Sequence, residues 1–206
     1  MEYRTLKAAA EAEYIDRKSR FIGQAAPVHS EEEALAFLRE IRTRRWDARH
    51  HVYAYVLRSG AARYSDDSEP QGTAGMPTLE VLTKGGITDA IIVTTRYFGG
   101  VLLGTGGLTR AYGRAAHDAA EAAGIVRMCS CKIGTLTCDY ARYGTVARTL
   151  TQGGGILEDT IYEQQVTLRF HIPPERIPAL TQALADGTGG LVAPEWTGEA
   201  FFPTEN

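Results

Sequence analysis

The sequence is short of the features that most readily assign a class. Only Cys129, Cys131 and Cys138 carry thiols among 206 residues. An odd count without a CxxC spacing argues against a disulfide framework and a zinc site, and leaves buried, reduced thiols as the expectation. No apolar run approaches the ~20 residues needed to cross a bilayer, and the N-terminus has no signal-peptide core, so the expectation is a cytoplasmic chain. Charge of one sign is missing too. The net charge of −3 carries no global basic footprint of a nucleic-acid binder. Residues 1–130 hold 17 Lys and Arg against 16 Asp and Glu, whereas residues 131–206 hold 5 against 9, so an anion-binding surface is expected in the first part. No Gly-Lys-Ser/Thr follows the glycines and no G-x-S-x-G elbow is present, which excludes a P-loop and a nucleophile elbow.

What is present gathers in residues 91–114, IIVTTRYFGGVLLGTGGLTRAYGR. The β-branched run Ile91, Ile92, Val93 predicts a buried strand. A connection rich in glycine follows, with Gly99, Gly100, Gly104, Gly106 and Gly107. Leu108, Ala111, Tyr112 and Ala115 are then spaced for one face of a helix, with Thr105 as its expected N-cap. A strand, a glycine loop and a helix N-terminus together present backbone N–H groups to an anion. Arg96, Arg110 and Arg114 add positive charge nearby.

Residues 64–77 form the second unusual stretch. Asp66, Asp67 and Glu69 place three carboxylates within four residues, which suggests a cation or acid–base site, but the spacing is not that of a calcium loop. The alternative is a tight loop whose Asp and Ser side chains bond its own backbone. Thr73 belongs to the same loop. His50 and His51 open a strand and so point to opposite faces, which keeps them from sharing one metal ion; a place at a cleft edge is expected. No metal, no cofactor and no catalytic residue is assigned on these grounds.

The remaining chain reads as a hairpin over residues 12–27 turning at 16–19, then a helix from the capping box Ser30/Glu33 to about Arg44. Leu35, Leu38 and Ile41 form its inner stripe, and Arg39, Arg42, Arg45 and Arg49 fall on the solvent side, as a solvated face or, alternatively, a phosphate- or ribosome-facing patch. A short helix ends at Gly85-Gly86. After Gly124 the order becomes strand 133–140, helix 142–151, strands 156–162 and 166–172, a helix from Pro173-Pro174 to about 185, and a strand 191–198, with 199–206 as a frayed tail. This βαββαβ order is the ferredoxin-like unit.

The two unusual stretches together resemble the IMPACT/YigZ family. The resemblance lies in Asp66-Asp67-Ser68-Glu69-Pro70-Gln71-Gly72-Thr73-Ala74-Gly75 with Pro77, in Arg96-Tyr97-Phe98-Gly99-Gly100, in Leu103-Gly104, and in Gly107-Leu108-Thr109-Arg110-Ala111-Tyr112. Residues 17–22 and 50–55 support it. It implies an α+β fold: a domain over 1–128 like the second domain of a small-subunit ribosomal protein, and a ferredoxin-like domain over 132–200 like the last domain of elongation factor G. It also implies a translation theme, since the eukaryotic member restrains a stress kinase by competing for its ribosome-associated activator. That pathway is absent from bacteria, so this partner is not carried over to a bacterial-type chain. Ser68 stands where the family usually has glycine; serine is expected to hold the turn unless a positive φ is required.

Residues and resemblance lead to a nonenzymatic, translation-related factor that binds RNA, the ribosome or a phosphate-bearing ligand through the glycine-rich loop. Arg96 and Arg110 would contact phosphate with the loop amides, and Glu69 or Asp67 would orient an arginine. The bland counterpart is that these arginines and carboxylates pair with one another. One alternative is an enzyme on a phosphorylated or nucleotide substrate, with His50 or His51 as base and Asp66, Asp67 or Glu69 as acid or metal ligand. Another is an adaptor that binds a protein partner in translation control. A membrane partner is not expected, and the oligomeric state is left unassigned.

Overall fold

The computed structural model describes residues 2–204. They divide into two compact units, residues 3–127 and residues 128–204 with Glu2. No helix among the described residues is long and apolar enough to cross a membrane.

The first unit is built on a five-stranded antiparallel sheet of order β2-β3-β6-β4-β5, with β2 Ala10–Asp16, β3 Ser19–Pro27, β4 His50–Val56, β5 Ala62–Ser65 and β6 Ala90–Tyr97. A short strand, β1 Glu2–Leu6, precedes it. Neither β1 nor β5 is signalled by the residue pattern. The β2–β3 turn puts Arg17 and Lys18 at φ of 45° and 65°, the two left-handed residues that a tight hairpin of this hand needs.

Helices cover both faces of the sheet. Ala26, Tyr55, Ile91 and Val93 pack under α1 Glu31–Arg44 through Ala34, Leu38 and Ile41. Ala25, Ala54 and Ile92 face α2 Gly75–Lys84 and α3 Gly104–Ala123 through Leu82, Ala116 and Ala119. Strand β6 is therefore apolar on both sides, which is why its sequence reads as an unbroken hydrophobic run. The alanine stripe of α3 lets the helix lie close to the sheet: a Cβ on Gly23 would come within 2.4 Å of the Ala115 carbonyl oxygen.

At α1 the Ser30 half of the capping box forms, its hydroxyl accepting from the Glu33 amide at 3.2 Å, while the Glu33 side chain reaches one residue past the cap and accepts from the His29 amide at 2.7 Å. Thr105 is not the cap of α3. The helix begins at Gly104, follows Leu103, and has no side-chain cap; Gly104 takes φ of 71° at the bend instead.

The second unit has the expected βαββαβ order: β7 Ile125–Cys138, α4 Tyr140–Gln152, β8 Ile156–Tyr162, β9 Val166–Ile172, α5 Ile177–Thr188 and β10 Glu195–Pro203. Antiparallel pairing of β10 with β7, β7 with β9, and β9 with β8 gives the ferredoxin-like arrangement. Leu136, Val166, Leu168 and Phe170 meet Val146, Leu150, Leu180 and Leu184 in an apolar core. The last strand lies further on than the pattern over 191–198 predicts. Val192 is buried in the core without being in a strand, and Pro194, which has no N–H to give a ladder, precedes the pairing. Residues 199–203 are paired strand rather than frayed tail, and residues 205 and 206 lie outside the described chain. All three cysteines are free thiols, and burial pushes Cys131 up to about 12.

Candidate functional site

Sheet register assembles the site. Phe21 on β3, Arg96 on β6 and His50 on β4 are directly opposed across three adjacent strands, so their side chains share one face. Tyr112 of α3 stands over that row, its ring edge-on to Phe21 at 5.1 Å and 85°. The acidic loop closes over the same place and delivers Glu69. Oε1 of Glu69 accepts from Arg96 Nη1 at 2.7 Å and from the Tyr112 hydroxyl at 2.7 Å. Both charged side chains are buried, 4% exposed for Glu69 and 7% for Arg96. The guanidinium carbon of Arg96 lies 5.4 Å from the Phe21 ring centre and 5.6 Å from that of Phe98. Burial, then the Glu69 charge, holds the Tyr112 phenol far above its ordinary value, so it stays a proton donor to the carboxylate.

His50 sits at the edge of this cluster. Its Nδ1 donates to the Asp67 carbonyl at 2.8 Å, and Nε2 lies 4.0 Å from Glu69 Oε1. His51 points to the other face, as strand alternation requires. There it is buried, with Nε2 donating to the Arg45 carbonyl at 3.2 Å. Burial lowers its pKa below that of a free imidazole, so it is a packed neutral histidine.

The acidic loop is held by its own side chains. Asp66 accepts from the amides of Gly72, Ala74 and Gly75 at 2.8–3.0 Å, which ties it to the start of α2. Asp67 accepts from the His51 amide at 2.6 Å and from Arg42 at 3.1 Å, and its own amide donates to Ser65 Oγ at 3.1 Å. Thr73 Oγ1 donates to the Pro70 carbonyl at 2.6 Å. Among the described residues no group of three His, Cys, Asp or Glu is placed to hold a metal ion. Arg42 and Arg45, expected at a solvent face, are tied down, Arg45 by Glu11 at 2.8 Å. Ser68 takes φ of 70° and Asp67 43°, so this turn does require a positive φ at the serine.

Beside the cluster lies a cavity of about 310 Å³ lined by Asp47, Ala48, Arg49, His50, Arg96, Tyr97 and Phe98. Arg96 Nε is buried and has no hydrogen-bond partner. Phe98 is 55% exposed and Leu102 80%. The loop glycines differ in what they do. Gly99 packs against the β2–β3 turn and its amide donates to Ser19 Oγ at 3.1 Å. Gly107 is buried against Leu103, while Gly100, Gly104 and Gly106 are exposed. Arg110 is exposed and borders a different depression, so the structure does not bring it to Arg96.

The helical spacing of Tyr112 predicts a core residue; a tyrosine within an alanine stripe is the signal that its hydroxyl needs a buried partner. Arg49 and Phe98 reach the cavity lining because they directly flank the adjacent ends of β4 and β6; Arg49 lies in the arginine run and Phe98 in the Arg96–Gly100 motif, but nothing local signals that the two meet.

Residues 17–120 match the model of the Impact N-terminal domain, and residues 136–191 match a domain of unknown function, DUF1949. The chain is similar to IMPACT family member YvyE of Bacillus subtilis, 35% identical over 190 residues that cover 91% of this chain and 88% of that one. It is similar to IMPACT family member YigZ of Escherichia coli, 36% identical over 178 residues covering 84% and 87%. A Dictyostelium discoideum IMPACT homolog is 38% identical over 95 residues, 43% of this chain and 27% of that one. A crystal structure of a hypothetical protein superposes with a TM-score of 0.61 at 33% identity, covering 94% of this chain and 96% of that one.

Proposed function

The chain belongs to the IMPACT family, and on that premise we propose that it is a nonenzymatic, translation-related factor whose first unit binds ribosomal RNA beside the glycine-rich loop. The observation that carries this reading is the cavity of about 310 Å³ that joins the buried Arg96, its Nε without a partner, to Arg49, His50 and the exposed ring of Phe98. Cations beside an aromatic face suit a nucleotide, with phosphate at the arginines and a base stacked on Phe98. Exposed Gly100 on the neighbouring loop and exposed Gly106 in the first turn of α3 leave backbone that phosphate can approach closely.

The carboxylates support this over the enzymatic alternative. Asp66, Asp67 and Glu69 all accept hydrogen bonds from protein donors, so none stands as an unengaged acid or base. Glu69 instead fixes the arginine, as a buried orienting partner does.

The test is cosedimentation with purified ribosomes across a salt series. Arg96 is unsuited to substitution because its loss strands the Glu69 charge, so the variant is Arg49→Ala with Phe98→Ala. Binding should weaken with salt and fall about tenfold or more in a variant whose circular dichroism is unchanged. Binding that is insensitive to both salt and the substitutions would overturn the reading and leave a protein-docking adaptor in its place.

A further inference from the structure

A larger depression lies between α2 and α3, about 640 Å³, within the range of small-molecule sites. Its lining comes from two facing stripes. Pro77, Glu80, Val81 and Lys84 stand one helical turn apart along α2, and Arg110, Gly113, His117 and Ala120 do the same along α3, with Ile87 and Ile125 completing the apolar floor. Nothing in the RNA reading uses this place.

Two observations mark it as a binding site rather than imperfect packing. The first is Gly113, in the middle of a 20-residue helix. Glycine is the poorest helix former short of proline, and neither packing nor backbone geometry demands it here. A Cβ at this position would meet only Pro77 Cβ, at an ordinary 3.8 Å, and the residue is not among those with positive φ. The missing side chain deepens the floor of the depression. The second is the charge pattern. Lys84 is paired with Glu80 at 2.8 Å, Arg4 donates to the Gly85 carbonyl at 2.7 Å, and His117 lies 3.4 Å from Asp118. The Arg110 side chain is exposed and makes no hydrogen bond or ion pair among the described residues. Of the two acids on the same helix, Asp118 is taken by Arg114 at 2.8 Å, and Glu121 is eleven residues further on than Arg110, about 16 Å along the axis. One end of the depression is thus an unopposed cation beside Thr109, and the middle is apolar.

We propose that this depression binds an amphipathic organic anion, with an alkyl or aryl body over Val81, Gly113 and Ala120 and a carboxylate or phosphate held by Arg110. The head group meets the guanidinium at the rim, where its other oxygens keep their water, and the body displaces water from the floor.

The experiment is a heteronuclear NMR titration of the full chain with decanoate, decyl phosphate and decanol. The two anions should shift resonances of α2 and α3 and bind at least about tenfold more tightly than the alcohol. Their relative affinity identifies whether the head is a carboxylate or a phosphate. Arg110→Ala should bring the anions down to the level of the alcohol, and Gly113→Leu, which fills the floor, should abolish binding by all three. Gly113→Ala, which helix propensity favours, should weaken binding with the fold intact and serves if the leucine variant misfolds. Absence of shifts on α2 and α3, equal affinity for anion and alcohol, or binding undiminished in both glycine variants would overturn the proposal. None of these outcomes touches ribosome binding through Arg49 and Phe98.

Discussion

The acidic loop and the glycine-rich loop adjoin the same end of β6, yet their polar groups have opposite destinations. In the acidic loop the three carboxylates turn inward: Asp66 on three amides, Asp67 on His51 and Arg42, Glu69 on Arg96 and Tyr112. In the glycine-rich loop the side chains turn outward, with Phe98, Val101 and Leu102 exposed, and Gly100 and Gly104 held in left-handed backbone with open space around them. The run of carboxylates, which the sequence reads either as a cation or acid–base site or as a self-bonded loop, is bonded within the protein. The run of glycines, which the sequence reads as an anion site, follows directly on Phe98 of the cavity lining. What separates the two is whether a polar group has found its partner inside the protein.

The largest effect should come from Glu69→Ala. Arg96 would remain buried with no counter-ion, and breaking a buried pair from one side costs about 3–5 kcal/mol. Urea unfolding followed by circular dichroism measures it. A loss below about 1 kcal/mol, the range of a surface pair, would mean the acidic loop does not brace the sheet, and the contrast with the glycine-rich loop would fail.

Much of this arrangement was legible in the residues. Ser30 and Glu33 announced α1, and β8 and β9 follow from their alternation between Gly155 and Pro173. The pairing of Arg96 with Glu69, held as the bland alternative to phosphate binding, is present in the structure. What was hidden is set by three-dimensional register. His50, Arg96 and Phe21 share a row only because β4 and β3 flank β6 at one offset, and no local pattern encodes an offset between distant strands. Arg110 shows the converse. It shares a motif with the glycines, but the helix turns it towards α2 and a different depression. The misplacement of β10 has a local cause, since Leu191 and Val192 carry the apolar signal while the ladder waits until after Pro194.

Gly99→Ala probes the other loop. The new Cβ would lie 2.0 Å from the Lys18 carbonyl carbon and 2.3 Å from the Ser19 nitrogen, both backbone atoms that cannot swing aside. Either the β2–β3 turn or the loop must move, at a cost of about 1–3 kcal/mol, and the Gly99–Ser19 hydrogen bond weakens with it. The urea midpoint should fall accordingly, and ribosome binding should fall with the displaced loop. An unchanged midpoint would show that the loop yields freely, and its packed side would then be no more constrained than its open one.

Ser68→Gly should give the smallest change, with opposite sign. Asp67 and Ser68 are consecutive residues at positive φ, where a Cβ presses on the following carbonyl and costs roughly 1–2 kcal/mol per residue. Glycine removes that strain at position 68 but gives the unfolded chain more freedom to lose, a penalty of about 0.4–1 kcal/mol. The net expectation is a gain of roughly 0.5 kcal/mol, seen as a slightly higher urea midpoint with ribosome binding unaltered, because Ser68 faces neither the cavity nor Glu69's partners. A loss of stability instead would mean that the serine side chain itself holds the turn, and the inward-bonded character of the acidic loop would extend to Ser68.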